Sequence, residues 1–392
     1  MAATKASFGI VFRISVAVAL CRAVILPIPT AVGFTVPVGR SRPTFTLDAF
    51  RSTRSETSSR LFSEIDSTTE EDITTTNESP PVRVQRKYET FLWMHDAKEY
   101  DINYRMEGPV DGPPILLIHG FGANVNHYRY QFPALVNEGY RVYAIDLIGF
   151  GASDKPADVP YSIELFVSLL IDFVDTVKSD ENQPWIVAGN SIGGLCALSL
   201  ADQLPKIIQG VVLFNCAGGM SGFRYADLPL LLRPVLYFVQ KVVLGPSMGG
   251  SGFFENFKTR ENVESILTEQ GVYRNTTNVD EELMEILLGP SDDEGAEQVF
   301  LKVFAGPPGP TPESLLPTIQ APILALWGGD DPWTPVDKGM HPGNEFGRYA
   351  ESDFRLEVIA GAGHCPHDEE PDKVHAIMIP WLEEIRKEYN PQ

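Results

Sequence analysis

Beyond residue 82 the hydrophobic positions fall into short runs separated by longer stretches of helical spacing. The runs ILLIHG (115–120), RVYAIDL (141–147), PWIVAGN (184–190), IIQGVVLFN (207–215), PILALWG (322–328) and FRLEVIA (354–360) have the length and composition of strands. Short apolar runs alternating with helix-like stretches suit a mostly parallel sheet with crossover helices. Helical spacing marks 126–137, 162–178, 192–203 and 372–389, the last with Val374, Ile377, Trp381 and Ile385 along one face. Segments 91–93 and 101–106 predict a leading hairpin. The expected fold class is α/β, a central sheet flanked by helices over residues 82–392.

The alternation stops between about 220 and 317, where helix formers dominate and the exit AGPPGPTP (305–312) is rich in Gly and Pro. An insertion of that size between two strands predicts a helical cap over the strand ends, just before strand 322–328. Its first segment, LPLLLRPVLYFVQKVVLG (228–245), is apolar on most faces. That suits a helix buried under its neighbours and equally a surface for a greasy ligand, and a cap over a pocket satisfies both.

The N-terminus reads as an address. Lys5 and Arg13 precede apolar runs at 14–20 and 23–28, each too short to span a bilayer. Phe34 follows within AVGFTVP, and 39–60 is rich in Arg, Ser and Thr with few acids. This order resembles the bipartite plastid presequences of algae with complex plastids, with a secretory signal plus a disordered tail as the alternative. Residues 63–81 (SEIDSTTEEDITTTNESPP) offer too little apolar surface to offset the entropy of ordering and predict an acidic linker after a presequence over 1–62.

Charge sharpens the division. The first sixty residues hold eight Lys/Arg against Asp48 and Glu56, a net of +6, so the remainder carries −27 of the chain's total of −21. A body this acidic repels phosphate backbones, which argues against nucleic acid as a partner. Cys21, Cys196, Cys216 and Cys365 form neither a disulfide framework nor a zinc pattern, and the expectation for the three in the body is buried free thiols.

Gly189-Asn190-Ser191-Ile192-Gly193 fits the G-x-S-x-G elbow, in which a strand reverses sharply into a helix with Ser at the apex. The pattern alone is weak. Its context, strand WIVAGN before and small-residue helix start IGGLCALSLA after, makes Ser191 the candidate nucleophile over Ser153 and Ser199. A serine hydroxyl needs a neighbouring base, and in this arrangement acid and histidine follow the serine in chain order. The loop GGDDPW after strand 322–328 offers Asp331, favoured over Asp330, while the loop after the preceding strand offers only Asn215 and Cys216. GAGHCPHDEE places His364 in the last strand–helix turn, ahead of His367, which is left to line a pocket or tether the loop through Asp368. The backbone N–H groups of Ile192 and Phe121 are the expected oxyanion donors. His119 is expected to act as a brace, and DLIGFGASD (146–154) is given no catalytic part.

Taken together, LLIHGFGANVNHYRYQFP, YRVYAIDLIGFGASDKP, GNSIGG, WGGDDPWTP and GAGHCPHDEEP resemble the α/β-hydrolase superfamily across 88–388. The last segment most resembles the pheophytinases, chlorophyll dephytylases and algal chlorophyllases. The resemblance implies the α/β-hydrolase fold and assigns the triad to Ser191, Asp331 and His364. It further implies hydrolysis of the phytyl ester of a tetrapyrrole, chlorophyll or pheophytin, in a plastid, with peripheral association with thylakoids as an option. It implies no cofactor and no metal of the protein's own, since any magnesium belongs to the substrate. Relatives with Asp at the nucleophile position open epoxides or displace halides, and Ser191 argues against both. A general lipase, thioesterase or carboxylesterase would use the same triad, and a non-catalytic binding protein could share the fold.

Two measurements follow from this division of the chain. Deletion of residues 1 to about 80 should leave a soluble, active protein, because every predicted strand and site residue lies beyond that point. The deleted leader fused to a fluorescent protein should enter the plastid of an algal cell, and export to the medium would refute the address.

Overall fold

The computed structural model describes residues 88–180, 183–220 and 250–389. The segments expected as presequence (1–62) and linker (63–81), and the apolar segment 228–245, lie outside the described residues. Strands β1 (Tyr88–His95) and β2 (Lys98–Glu107) form the leading hairpin. Its two-residue turn holds Asp96 and Ala97 at φ 49° and 59°, the tight geometry whose twist matches paired strands. Then follow β3 (Pro114–Ile118), β4 (Arg141–Ile145), β5 (Trp185–Asn190), β6 (Ile208–Phe214), β7 (Ile323–Gly328) and β8 (Phe354–Ile359). They build one eight-stranded sheet in the order β1-β2-β4-β3-β5-β6-β7-β8. The β1–β2 and β2–β4 pairs are antiparallel and the remaining pairs parallel. The six runs read as strands from the sequence are the six parallel strands.

The central strands β3, β5 and β7 are buried at every residue because helices cover both faces. Alternation nevertheless operates inside the apolar runs. Leu116 and Ile118 of β3 face one core with Val187, Leu213 and Ala325, whereas Ile115 and Leu117 face the other with Ala188, Phe214 and Leu326. Helices α2 (Ile163–Val177) and α3 (Ile192–Gln203) supply the first core. Helix α1 (Gln131–Asn137) and the C-terminal α10 (Pro371–Tyr389) supply the second. Ser162 caps α2 by accepting the Leu165 N–H at 3.1 Å.

The segment expected as one helix over 126–137 is two elements, a 3₁₀ turn at Val125–Tyr128 and the short α1. Asn124 starts the turn by accepting the Asn126 N–H at 2.9 Å. Pro133 has no N–H to give the Arg129 carbonyl, so an unbroken helix loses a bond there, and a new one starts with Pro133 in its first turn.

Between β6 and β7 the described residues form α4 (Gly250–Phe257), α5 (Arg260–Thr268), α6 (Glu281–Leu288) and α7 (Ala296–Ala305), then the short α8 (Pro312–Leu315). This helical insertion has small apolar cores of its own. Both reach into the body: Cys365 of the histidine loop belongs to one, and Phe121 packs against the other. A last short helix, α9 (Pro366–Glu369), leads into α10.

The parallel strands all end at the same edge. Chain connections leave β3 towards β4 on one side and arrive at β5 on the other, so the loops after β3 and β5 diverge and open a crevice there. Leu117, fully buried at the middle of β3, tests the two-core reading. Leu117→Ala should lower unfolding stability by ~2–5 kcal/mol, whereas Leu92→Ala, at a position 56% exposed, should change it by less than ~0.5 kcal/mol in the same urea titration.

Candidate active site

Ser191 stands between β5 and α3 at φ 55° and ψ −119°, a strained conformation for a residue with a side chain. The surrounding backbone enforces it. Ser191 N–H donates to the Phe214 carbonyl at 3.0 Å, and its own carbonyl accepts from Gly194 N–H at 3.0 Å. A Cβ on Gly193 would lie 2.1 Å from the Ile118 carbonyl oxygen, so nothing larger fits beneath the turn. The other serines are committed elsewhere: Ser153 Oγ donates to the Asp146 carbonyl and Ser199 Oγ to that of Leu195, at 2.7 and 2.9 Å.

The loop after β7 buries Asp331 and exposes Asp330. His364 Nδ1–H donates to Asp331 Oδ2 at 2.8 Å, and both side chains are almost fully buried. Four further donors hold the carboxylate. Asn215 Nδ2 and Thr334 Oγ1 reach Oδ2, each at 2.5 Å, while Trp333 N–H and Thr334 N–H reach Oδ1 at 2.7 and 3.1 Å. Burial pushes this carboxyl group's pKa up, but the charge and hydrogen bond of His364 and the bonds from Thr334 outweigh it and bring it down to about 2. With Nδ1–H on Asp331, His364 keeps Nε2 as the nitrogen able to take a proton. Trp333 packs edge-on against its ring at 5.0 Å between centroids.

Two residues in this assembly went unassigned from the sequence. Asn215, in the left-handed region at φ 45°, donates to Asp331 and accepts the Gly328 N–H at 2.9 Å, locking the end of β7 to the acid. Asn190 donates from Nδ2 to the Phe214 and His364 carbonyls at 3.1 and 3.0 Å, which ties the serine turn to the histidine turn. Buried amides at strand ends were the available signal, but an Asn in a loop has too many ordinary reasons to occur.

Of the two expected oxyanion donors, Ile192 opens α3, and the His119–Gly122 loop runs alongside the serine. A Cβ on Gly120 would stand 3.4 Å from Ser191 Cβ, and Phe121 borders the same cavity as Ser191. His119 braces this loop: Nδ1 donates to the Gly120 carbonyl at 2.7 Å, and Nε2 accepts Leu147 N–H at 3.0 Å. The DLIGFGASD segment folds around Asp146, which accepts from Val125 N–H, Asn103 Nδ2 and Ala152 N–H, and its Phe150 borders the cavity.

Of the two roles the sequence leaves open for His367, lining the pocket is not the one observed. It is absent from the cavity wall and fully buried among His127, Tyr128 and Phe214, and burial pushes its pKa well below the usual value. The loop is tethered through Asp368, as the second option has it, to Arg129 and Tyr273.

Ser191, His364 and Trp333 form the floor of a cavity roofed by the cap, where Phe257, Ile266, Leu267, Leu287 and Phe300 supply apolar surface. Its lysines are neutralised, Lys155 by Asp293 at 2.8 Å and Lys258 by Asp292 at 3.0 Å. Cys196, Cys216 and Cys365 are buried free thiols. Among the described residues no cluster of His, Cys, Asp or Glu could hold a metal ion, and no helix is long and apolar enough to cross a membrane.

Comparison with known proteins agrees with this architecture. Residues 115–377 match the model of the alpha/beta hydrolase family. The chain is 27% identical to Epoxide hydrolase 3 of Xenopus tropicalis, over 72% of this chain and 74% of that protein. It is 26% identical to 2-hydroxy-6-oxo-6-phenylhexa-2,4-dienoate hydrolase of Comamonas testosteroni, over 73% and 93%. A solved structure of a bacterial membrane phospholipase A superposes with a TM-score of 0.57 at 24% identity, covering 76% of this chain and 87% of that one.

The acid assignment has two checks. Asp331→Asn should lower turnover by ~10⁴-fold through loss of the imidazole's orienting partner, and Asp330→Asn should leave it within a factor of two or so. Since folding depresses this carboxyl group's pKa from 3.8 to about 2, ionised Asp331 stabilises the fold above about pH 4, and that contribution fades as pH falls towards 2. Stability measured against pH should therefore fall less steeply over this window in Asp331→Asn than in the unaltered protein.

Proposed function

This chain belongs to the alpha/beta hydrolase family, and we propose that it is a serine esterase that cleaves large apolar esters, the phytyl esters of chlorophyll-type pigments above all. The observation that carries the proposal is the cavity, where the Ser191 turn and the Asp331–His364 pair lie under an apolar roof with its cations neutralised. Such a roof favours a long hydrocarbon over a small polar group. Burying it yields several kcal/mol at ~25 cal/mol per Å² of apolar surface. The HCPHDEE segment and the plastid-like leader support a tetrapyrrole as the acyl portion.

In this reading His364 Nε2 removes the Ser191 proton as Oγ attacks the propionyl carbonyl. The N–H groups of Phe121 and Ile192 receive the developing oxyanion. His364 then protonates the departing phytol, and water activated by the same nitrogen releases the pigment acid and restores Ser191. Asp331 stabilises the imidazolium in both halves.

Similarity to an epoxide hydrolase does not bring epoxide opening with it, since that chemistry relies on a carboxylate where this chain has Ser191. The likeness to a phospholipase A supports a second reading, a lipase or other carboxylesterase using the same residues. A purely binding role would not require a buried, fully hydrogen-bonded acid–histidine pair beside an elbow serine.

The purified protein should release phytol from chlorophyll or pheophytin, followed by chromatography, and Ser191→Ala should abolish that while retaining the fold. Ile266→Asn and Leu287→Asn, both in the cavity roof, should raise KM for pigment by at least ~10-fold and change a short nitrophenyl ester far less. Cleavage of the short ester with no phytol from either pigment would leave the esterase and remove the pigment.

A further inference from the structure

Direct hydrogen bonds join the cap to the histidine turn, and three backbone N–H groups, two of the cap and one of the turn, meet at one carboxylate. Glu369 is 1% exposed. Its Oε2 accepts the N–H of Gly363, the residue before His364, at 2.6 Å. Its Oε1 accepts the N–H groups of Arg274 and Asn275 in the cap at 2.5 and 2.6 Å. His364 itself donates its N–H to the cap, to the Val272 carbonyl at 2.8 Å. The approach is close enough that a Cβ on Gly363 would lie 2.2 Å from that carbonyl oxygen.

The flanking side chains continue the clasp. Cys365 enters the apolar core formed by Ile266, Leu267, Val272 and Tyr273. Asp368 accepts from Tyr273 Oη at 3.0 Å and from Arg129 Nε and Nη2 at 2.8 and 3.2 Å. Arg129 in turn donates to Asp280 and to the Asn278 carbonyl, and Asn278 Nδ2 returns to the Asp368 carbonyl at 2.7 Å. Val272 and Tyr273 also border the cavity. A segment that borders the cavity is therefore hydrogen-bonded directly to the main chain of His364.

We infer that Glu369 is a positioning residue for the base, a clamp that fixes His364 by fastening Gly363 to residues 274 and 275 of the cap. The inference rests on the proposed esterase reading, in which His364 is the base. Burial of Glu369 has a physical cost that its three backbone donors offset. A surface acid needs no such arrangement, and a carboxylate that served the cap alone would not reach back to Gly363. Placement of His364 then depends on seating of the 272–280 segment, so cap and base act as one body.

Glutamine at 369 separates positioning from packing. It keeps the shape but has one acceptor oxygen, so either Gly363 or the Arg274–Asn275 pair meets an N–H instead of an oxygen. In the full chain Glu369→Gln should lower kcat on a short nitrophenyl ester by ~10-fold or more while KM stays within about two-fold, since the first quantity needs the base and the second the pocket. Labelling of Ser191 by a fluorophosphonate, which needs the base but little substrate fit, should slow by a similar factor. Asn278→Ala, which loosens the clasp from the cap side, should produce a smaller fall, ~3-fold, in the same two rates, and it decides the matter if Glu369→Gln does not fold.

A lowered unfolding midpoint with kcat and labelling unchanged would overturn the inference, leaving Glu369 a packing residue. A rise in KM with kcat unchanged would overturn it too, by assigning the clasp to the pocket. Failure of the pigment reading is separate, because it appears as phytyl esters left intact while the nitrophenyl ester and the fluorophosphonate still react. A protein inert to both small reagents would overturn the two proposals together.

Discussion

An ionised carboxylate survives inside a protein only where donors replace the water it has lost. Asp331 meets that condition with donors from three separate loops: Asn215 after β6, Trp333 and Thr334 in its own loop after β7, and His364 after β8. They converge because β6, β7 and β8 are neighbours, parallel and in register, so their carboxyl ends open at one edge. Loops so placed can share one small volume without long excursions, and the same edge carries Ser191 after β5 and Phe121 after β3. The sheet order is what allows the carboxylate to be buried, and burial in turn fixes which face of the imidazole remains free.

The cap extends this logic. It is not a separate cover laid over a finished site, because Cys365 belongs to one of its apolar cores and Phe121 packs against the other. The two ends of the cavity floor are thereby joined to the roof. Apolar packing supplies cohesion on the Phe121–Phe300 side. Buried carboxylates supply it on the His364 side, through Asp368 and Glu369. Nondirectional contact suits a surface that must accommodate a ligand, and directional bonds suit one that must hold a ring in a single orientation.

The central parallel strands were legible because burial on both faces writes itself as an apolar run, and the serine turn because steric crowding leaves a glycine signature. Asp331 and His364 were legible through their positions after particular strands. Asn190, Asn215 and Glu369 were not, since their partners lie elsewhere in the chain: Glu369 meets Arg274 at a separation of 95 residues and Asn215 meets Asp331 at 116. Nothing local to an Asn or a Glu announces such a partner. The break before α1 was missed for a different reason. Val125, Tyr128, Phe132 and Leu135 keep helical spacing across it, so periodicity hides an interruption imposed by Pro133.

Cys365 follows the histidine directly, an adjacency that on paper suggests a thiol in the chemistry. Burial pushes its pKa well above the ordinary value, and the nearby charges of Asp368, Asp331 and Glu369 push it the same way; Cys196 and Cys216 are raised chiefly by burial as well. A thiol reacts with alkylating agents and peroxides through its ionised form. Among the described residues the three sulfurs are therefore held in the thiol form, the form that reacts slowly with iodoacetamide or hydrogen peroxide. The adjacency of Cys365 to His364 is thus one of packing, since the sulfur belongs to the apolar core of the cap.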